Sequence, residues 1–359
     1  MKKMEKKNII IFRTDSIGDF VMSTALIQNV KNKFPNSDIT FVCSNKNYKI
    51  AKLYNIFDKI IVFNKKFNFF KKMSLYLNIL SRSYYICICL DGKNFSITNS
   101  ILMRSKYKFL LVYKKQKKIL GHKFILTRPF KFFIPLFTDC QYFNSNNPDP
   151  SICHLPSLYS NLLKKIDISF SSKHKYYFPE NPDIANLFSN YFNKIVNDKY
   201  LLIHFDEKWL DIPEINIKLT SQIFNLQKNL DYSLVLTAYN NNFTYFNNLK
   251  KKFTTINFLN DKINFDTNKN HNKIFILEDM SLSLLEKFIS KSILTVSCHS
   301  GYAVHICGSN FTHYVDIINK NATDWRDTWV PKNTKYSRIY KTDLFTIFRN
   351  IEYIAKNRD

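Results

Sequence analysis

Glycine is scarce in this chain: five residues in 359, at positions 18, 92, 121, 301 and 308. That excludes the G-x-G-x-x-G turn of a dinucleotide-binding domain, and no Walker A loop is present. No apolar run approaches the ~20 residues that a helix needs to cross a bilayer; the longest are short stretches such as Tyr84–Leu90. The seven cysteines, at 43, 87, 89, 140, 153, 298 and 307, are odd in number and lack C-x-x-C spacing. They read as reduced, mostly buried thiols rather than a disulfide framework. Carboxylates are few, 28 Asp and Glu against 53 Lys and Arg, for a net charge of +25. Lys, Asn, Ile, Phe and Tyr are plentiful, the bias of an AT-rich coding sequence, so basicity alone identifies no partner. With 45% hydrophobic and 16% aromatic residues the chain is neither disordered nor fibrous. The basic start, Met1 to Lys7, resembles a signal-peptide n-region, but Arg13 and Asp15 break the apolar stretch Ile9–Phe12 and no cleavage site follows. A cytoplasmic location is expected.

Apolar strand-like runs alternate with helical patterns. Strands are predicted over Asn8–Arg13, Ile39–Cys43, Lys59–Phe63, Tyr85–Leu90 and Lys108–Val112, and helices over Asp19–Lys33, Lys46–Tyr54, Phe69–Arg82 and Phe95–Arg104. Strands that are apolar throughout belong in a parallel sheet covered on both faces. From Tyr113 to about Pro182 the rhythm is lost among Pro129, Pro135, Pro148, Pro150, Pro156 and Pro179, with one helix over Leu158–Lys165. A second series follows: strands Tyr200–Phe205, Ser233–Thr237, Thr255–Leu259, Lys273–Leu277, Ile293–Ser297 and His313–Ile317, with helices Ile217–Asn229, Phe243–Lys251 and Ser283–Lys291 between them. The reading is α/β: two Rossmann-like doubly wound domains, 1–182 and 183–359, facing across a cleft. A closing helix over 342–356 is free to pack back on the first.

The charge is uneven. Residues 1–180 carry 31 basic and 10 acidic side chains, residues 181–359 carry 22 and 18. Codon bias would tilt both parts alike. The densest stretch, Lys106–Lys131, sets lysines among Tyr107, Phe109, Tyr113, Phe124 and Phe130. It suits an anionic membrane surface or an acidic, lipid-linked substrate; a solvated Lys-rich loop is the plainer account. A nucleic-acid reading lacks any recognition helix, RNP motif or zinc finger.

The most informative segment is the first strand and its turn, Arg13-Thr14-Asp15-Ser16-Ile17-Gly18-Asp19. Ligands of open α/β sheets bind at the carboxyl ends of strands, where helix N-termini point their amides outward. Gly18 would allow close backbone approach, and Asp19, at the helix start, is a carboxylate of the kind that takes a proton from an attacking hydroxyl. Capping of the helix by Asp15 or Asp19 is the competing account.

Across Ile10–Phe63 the chain resembles the N-terminal domain of glycosyltransferase family 9, the ADP-heptose:lipopolysaccharide heptosyltransferases. The matching parts are the strand, Arg13-x-Asp15-x-x-Gly18-Asp19, Thr24-Ala25-Leu26, Phe34-Pro35, Ile39–Cys43 and Asp58–Phe63. The resemblance implies a GT-B fold and a catalytic base at Asp19, with Arg13, Asp15 and Gly18 in the acceptor-side loop. Asp91, in Asp91-Gly92, resembles the family's acidic position near the acceptor. In the second half, Lys208-Trp209 and Ser300-Gly301, with His305, resemble the donor motifs and imply diphosphate contacts. The chain departs from those motifs: Asp206 and Glu207 add negative charge, and His299 stands where the family has Asp. Lys208 on the surface and His305 packed in the core remain as alternatives. Cys298, His299, His305 and Cys307 match no usual zinc spacing.

The resemblance implies inverting, metal-independent transfer of a heptose-like sugar from a nucleotide-diphosphate donor, ADP-heptose foremost, to a lipopolysaccharide or other surface glycan. No other cofactor is implied. The alternative is an altered relative that binds anionic glycans without transferring sugar.

Overall fold

The computed structural model describes residues 6–119, 122–129, 131–144, 149, 153–170, 176, 178, 186, 188–189, 199–230, 232–238, 243–258, 264–266, 273–320, 328–332 and 334–357, with the main chain alone over 115–128 and 264–266. The chain divides into two compact units. The first comprises Met1–Pro179 and Thr323–Pro331, the second Glu180–Ala322 and Lys332–Asp359.

The first unit contains β1 (Asn8–Arg13), α1 (Ile17–Lys33), β2 (Asp38–Ser44), α2 (Asn45–Ala51), β3 (Lys59–Phe63), α3 (Phe69–Leu80), β4 (Ser83–Cys89), α4 (Asn94–Leu102), β5 (Arg104–Ile119), β6 (His122–Arg128), β7 (Asp139–Phe143) and α5 (Leu155–Leu162). Its sheet runs β3-β2-β1-β4-β5-β6, and β7 also pairs with β5. All pairings are parallel except β5 with β6. Ile9 to Phe12 are wholly buried, because a central parallel strand is covered on both faces. Helix α1 starts behind Ser16, has Asp19 in its first turn and Lys31 and Lys33 in its last, the charge order that the helix dipole favours. Its Phe20 ring anchors the helix on Phe41 and Tyr54, with centroids 5.2 and 5.1 Å away. The rhythm does not stop at Tyr113 as the prolines suggested. β5 runs on to Ile119 and pairs antiparallel with β6, and β7 lies parallel beside β5.

The second unit contains β8 (Tyr200–Phe205), α6 (Ile215–Asn229), β9 (Ser233–Ala238), α7 (Thr244–Lys250), β10 (Thr254–Asn257), β11 (Asn264–Asp266), β12 (Ile274–Glu278), α8 (Leu282–Lys291), β13 (Leu294–Ser297), α9 (Gly301–Asn310), β14 (His313–Ile318), β15 (Tyr336–Tyr340) and α10 (Leu344–Lys356). Its sheet order is β11-β10-β12-β9-β8-β13-β14-β15, parallel but for β11. The closing helix α10 belongs to the second unit. Leu344, Ile347, Phe348 and Ile351 bury themselves in the second unit's core, beside Leu219 and Ile223 of α6.

In both units the first strand is flanked on one side by the second strand of the series and on the other by a later one: β1 lies between β2 and β4, and β8 between β9 and β13. This reversal of strand order splays the connecting loops apart and leaves a crevice at the strands' carboxyl ends.

Candidate functional site

In the first unit the crevice opens where β1 ends. A cavity of roughly 760 Å³ there is lined by Thr14, Asp15, Ser16 and Asp19 after β1, by Ser44 to Lys46 after β2, by Phe63 to Lys66 after β3, and by Lys93 to Phe95 at the start of α4. Arg13 and Asp91, expected beside an acceptor, stand behind this wall. Both are fully buried. The Arg13 Nε lies 3.1 Å from Asp15 Oδ1, and its Nη2 lies 3.3 Å from Asp19 Oδ1. The guanidinium also donates to the carbonyl of Leu90 and lies 5.5 Å from the centroid of the Tyr159 ring. Asp91 accepts from the Thr14 amide at 2.6 Å and hydroxyl at 2.8 Å, and from the Lys93 amide at 3.1 Å. It therefore ties the turn after β1 to the turn after β4.

Gly92 permits this. A Cβ on it would meet the Tyr113 ring at 2.9 Å, and the Tyr113 hydroxyl donates to Leu90 O at 2.9 Å. Gly18 has a smaller part than expected. The helix begins at Ile17, so Gly18 is a helical residue and not the turn, which is made by Thr14 to Ser16.

Asp19 remains on the wall. Its Oδ2 accepts from the Ser16 hydroxyl at 2.5 Å and from the Ser16 amide at 3.3 Å, so it does help cap α1, while its side chain stays 26% exposed. Capping and an open carboxylate therefore coexist in one residue. Asp15 differs. Burial pushes its carboxyl well above the usual range, helped by Asp19 and Asp91 and opposed by Arg13. Asp15, its side chain 17% exposed, and Asp19, 26% exposed, thus set two carboxyl groups of unlike surroundings side by side on the cavity wall. Lys46, Lys65, Lys66 and Lys93 add four cations to the same lining.

In the second unit the corresponding crevice lies between the turns after β8 and β13. Lys208 Nζ donates to His299 O at 2.8 Å and lies 3.4 Å from Asp206 Oδ2. Trp209 is fully buried, its Nε1 donating to His204 O at 3.1 Å. Burial, reinforced by the charge of Lys208, lowers His204 to about 4, and its Nδ1 lies 2.9 Å from Thr237 Oγ1. His299 adopts a left-handed backbone, φ 55°, and its Nδ1 lies 2.8 Å from the buried carboxylate of Asp316, which also accepts from the Tyr336 hydroxyl at 2.8 Å. Ser300 caps α9, its Oγ accepting from Ala303 N at 3.4 Å. The Ser300 amide turns inward, 3.0 Å from both Ser297 Oγ and Tyr314 Oη. Gly301 opens the helix, and His305, expected at the donor, is buried one turn further on.

The structure places Asp15 and Asp19 on one cavity, and Lys208 reaches, through His299 O, the turn that precedes Ser300 and Gly301. The Arg13–Tyr159 packing and the His299–Asp316 pair were not read from the sequence. Of the Lys106–Lys131 patch, the side chains of 115–128 lie outside the described residues, as do Trp325 to Asp327; Trp329 packs edge-on against Phe143, 5.9 Å between centroids. Among the described residues no group of three or more His, Cys, Asp or Glu side chains is arranged to hold a metal ion, and no helix is long and apolar enough to cross a membrane.

No protein-family model matches the sequence, and no curated protein does. Solved structures do match in fold. A glycosyltransferase family 9 protein of Veillonella parvula shares 13% identity over 96% of this chain and 89% of its own, with a TM-score of 0.62. The E. coli heptosyltransferase WaaC with ADP-2-deoxy-2-fluoro heptose shares 11% over 98% of this chain and all of its own, with a TM-score of 0.60. The E. coli ADP-heptose lps heptosyltransferase II shares 11% over 98% of both chains, with a TM-score of 0.62. Over nearly its whole length the chain has the two-domain GT-B fold of these glycosyltransferases.

Proposed function

We propose that the protein is an inverting glycosyltransferase that moves a heptose-like sugar from a nucleotide-diphosphate donor to a lipopolysaccharide or other surface-glycan acceptor. The observation that carries this reading is Asp19, a partly open carboxylate on the wall of the 760 Å³ cavity at the sheet's switch point, held by Ser16 and backed by buried Arg13. The acceptor lies in that cavity, where the lysines of its lining meet the acceptor's anionic groups. Asp19 takes the proton of the attacking hydroxyl as the new bond forms at the anomeric carbon, and the bond to the diphosphate breaks on the opposite face. Lys208 and the main-chain amides that open α9 receive the leaving diphosphate, so no metal ion is required. ADP-heptose is the first donor to test, since solved neighbours include a heptosyltransferase with ADP-2-deoxy-2-fluoro heptose.

A second reading, an altered relative that binds anionic glycans without transfer, draws on one feature of the second unit. Lys208 is already engaged by Asp206 and the His299 carbonyl. Calorimetry of the intact protein with ADP-, GDP-, UDP- and CMP-sugars separates the two. Saturable binding of one of them supports the transferase; silence across the panel supports the binder.

A further inference from the structure

Helix α3 carries apolar side chains on two faces. Inward, Ile79 is buried, and Leu75, Tyr76 and Leu80 pack on the first unit's core. Outward, Phe69, Phe70, Met73 and Leu77 form a stripe along one side of the helix, with Phe70 80% and Leu77 62% exposed. A large exposed apolar stripe on a helix that already has a core face calls for a partner.

The charge around it indicates which partner. From residue 59 to residue 90 the chain has Lys59, Lys65, Lys66, Lys71, Lys72 and Arg82 and no Asp or Glu. The helix is well built without acidic help: Asn68 caps it by accepting from Lys71 N at 2.9 Å, and Lys71 Nζ lies 4.1 Å from the Phe67 ring centroid. At 12 residues, about 18 Å, it is too short to span a bilayer and suited to lying flat in an interface.

We infer that α3 is a membrane-docking helix, which inserts Phe69, Phe70, Met73 and Leu77 into the acyl boundary of an anionic bilayer while the flanking lysines meet the headgroups. This docking site is distinct from the Lys106–Lys131 stretch. It is independent of which sugar, if any, the protein transfers. Its position matters nonetheless, because Lys65 and Lys66, just before α3, also line the cavity that holds Asp19. A protein seated on α3 would hold that cavity close to the lipid surface.

The test is co-sedimentation of the full-length protein with vesicles of phosphatidylcholine alone or mixed with phosphatidylglycerol. The inference predicts binding to the mixed vesicles that weakens as salt is raised. Phe69→Ser with Phe70→Ser should lower the partition coefficient about tenfold or more. Both side chains are exposed, so far-UV circular dichroism and the melting temperature should not change. In a separate variant, Phe70→Trp, the added fluorescence should shift to the blue on mixed vesicles. No binding to mixed vesicles, or equal binding by the double variant, would overturn the inference. So would a concentration-dependent dimer of the wild type that the double variant abolishes, since the stripe would then be a self-association surface.

Discussion

Arg13 reaches Asp19 twice: its Nε donates to the Asp19 carbonyl at 3.0 Å, and its Nη2 lies 3.3 Å from Oδ1 of the Asp19 carboxylate. A fully buried cation thus fixes both the main chain and the side chain of a residue that faces the cavity. A carboxylate positioned in this way loses little freedom when a substrate hydroxyl arrives, as a general base requires.

Replacing Arg13 by Met should leave the carboxyl groups of Asp15 and Asp19 without their cation. Loss of one partner of a buried pair costs about 3–5 kcal/mol, so the urea midpoint should fall by a corresponding amount. Arg13→Lys keeps the charge but not the fork, and should fall between the two. An unchanged midpoint for the Met variant would mean that the pair contributes nothing to the fold.

Asp91 is a structural tie, and Asp91→Ala should show it. The substitution strands the Thr14 and Lys93 amides that its carboxylate receives. Each unsatisfied buried donor costs about 1–3 kcal/mol. The check is chemical denaturation alongside donor calorimetry. Stability should fall while donor binding by the second unit survives; loss of donor binding with full stability would contradict the assignment.

His204 gives the fold an acid limit. Its folded value, about 4, is below the ordinary 6.5. As pH falls from 6.5 toward 4, the unfolded chain takes up a proton that the folded chain refuses, and stability drops by about 3 kcal/mol. The contribution is fully present above pH 6.5. His204→Gln should flatten the slope of unfolding free energy over that window; an equal slope in the variant would refute the assignment.

The central strands were legible because burial on both faces writes continuous apolar runs, and Asn8–Arg13, Lys59–Phe63 and Tyr200–Phe205 are found with the predicted limits. β7 and β15 were not, because their residues are mostly only part-buried and so mix polar with apolar side chains. Within the site, the turn residues Asp15 and Asp19 were readable from their place between strand and helix. The burial of Arg13 was not, since an arginine is exposed by default and its partners Leu90 and Tyr159 belong to distant elements. The His299–Asp316 pair was hidden for another reason: it depends on the register of β13 beside β14, which sets Ser297 opposite Asp316.

Lys208→Ala tests the second unit. Nζ is tied to His299 O, and the side chain is 43% exposed, so stability should change by less than about 1 kcal/mol. The dissociation constant for the bound nucleotide sugar should rise about tenfold through loss of a charge-assisted contact. An unchanged constant would remove Lys208 from the donor site.

The most direct test is the turnover of Asp19→Asn with the nucleotide sugar that the binding panel identifies. The amide oxygen still accepts from Ser16 but no longer pairs with Arg13, so some stability is lost, while circular dichroism and the donor dissociation constant should hold. Turnover should fall about 10²–10⁴-fold, the usual share of a general base. Wild-type turnover in this variant would contradict Asp19 as the base and with it the proposed mechanism.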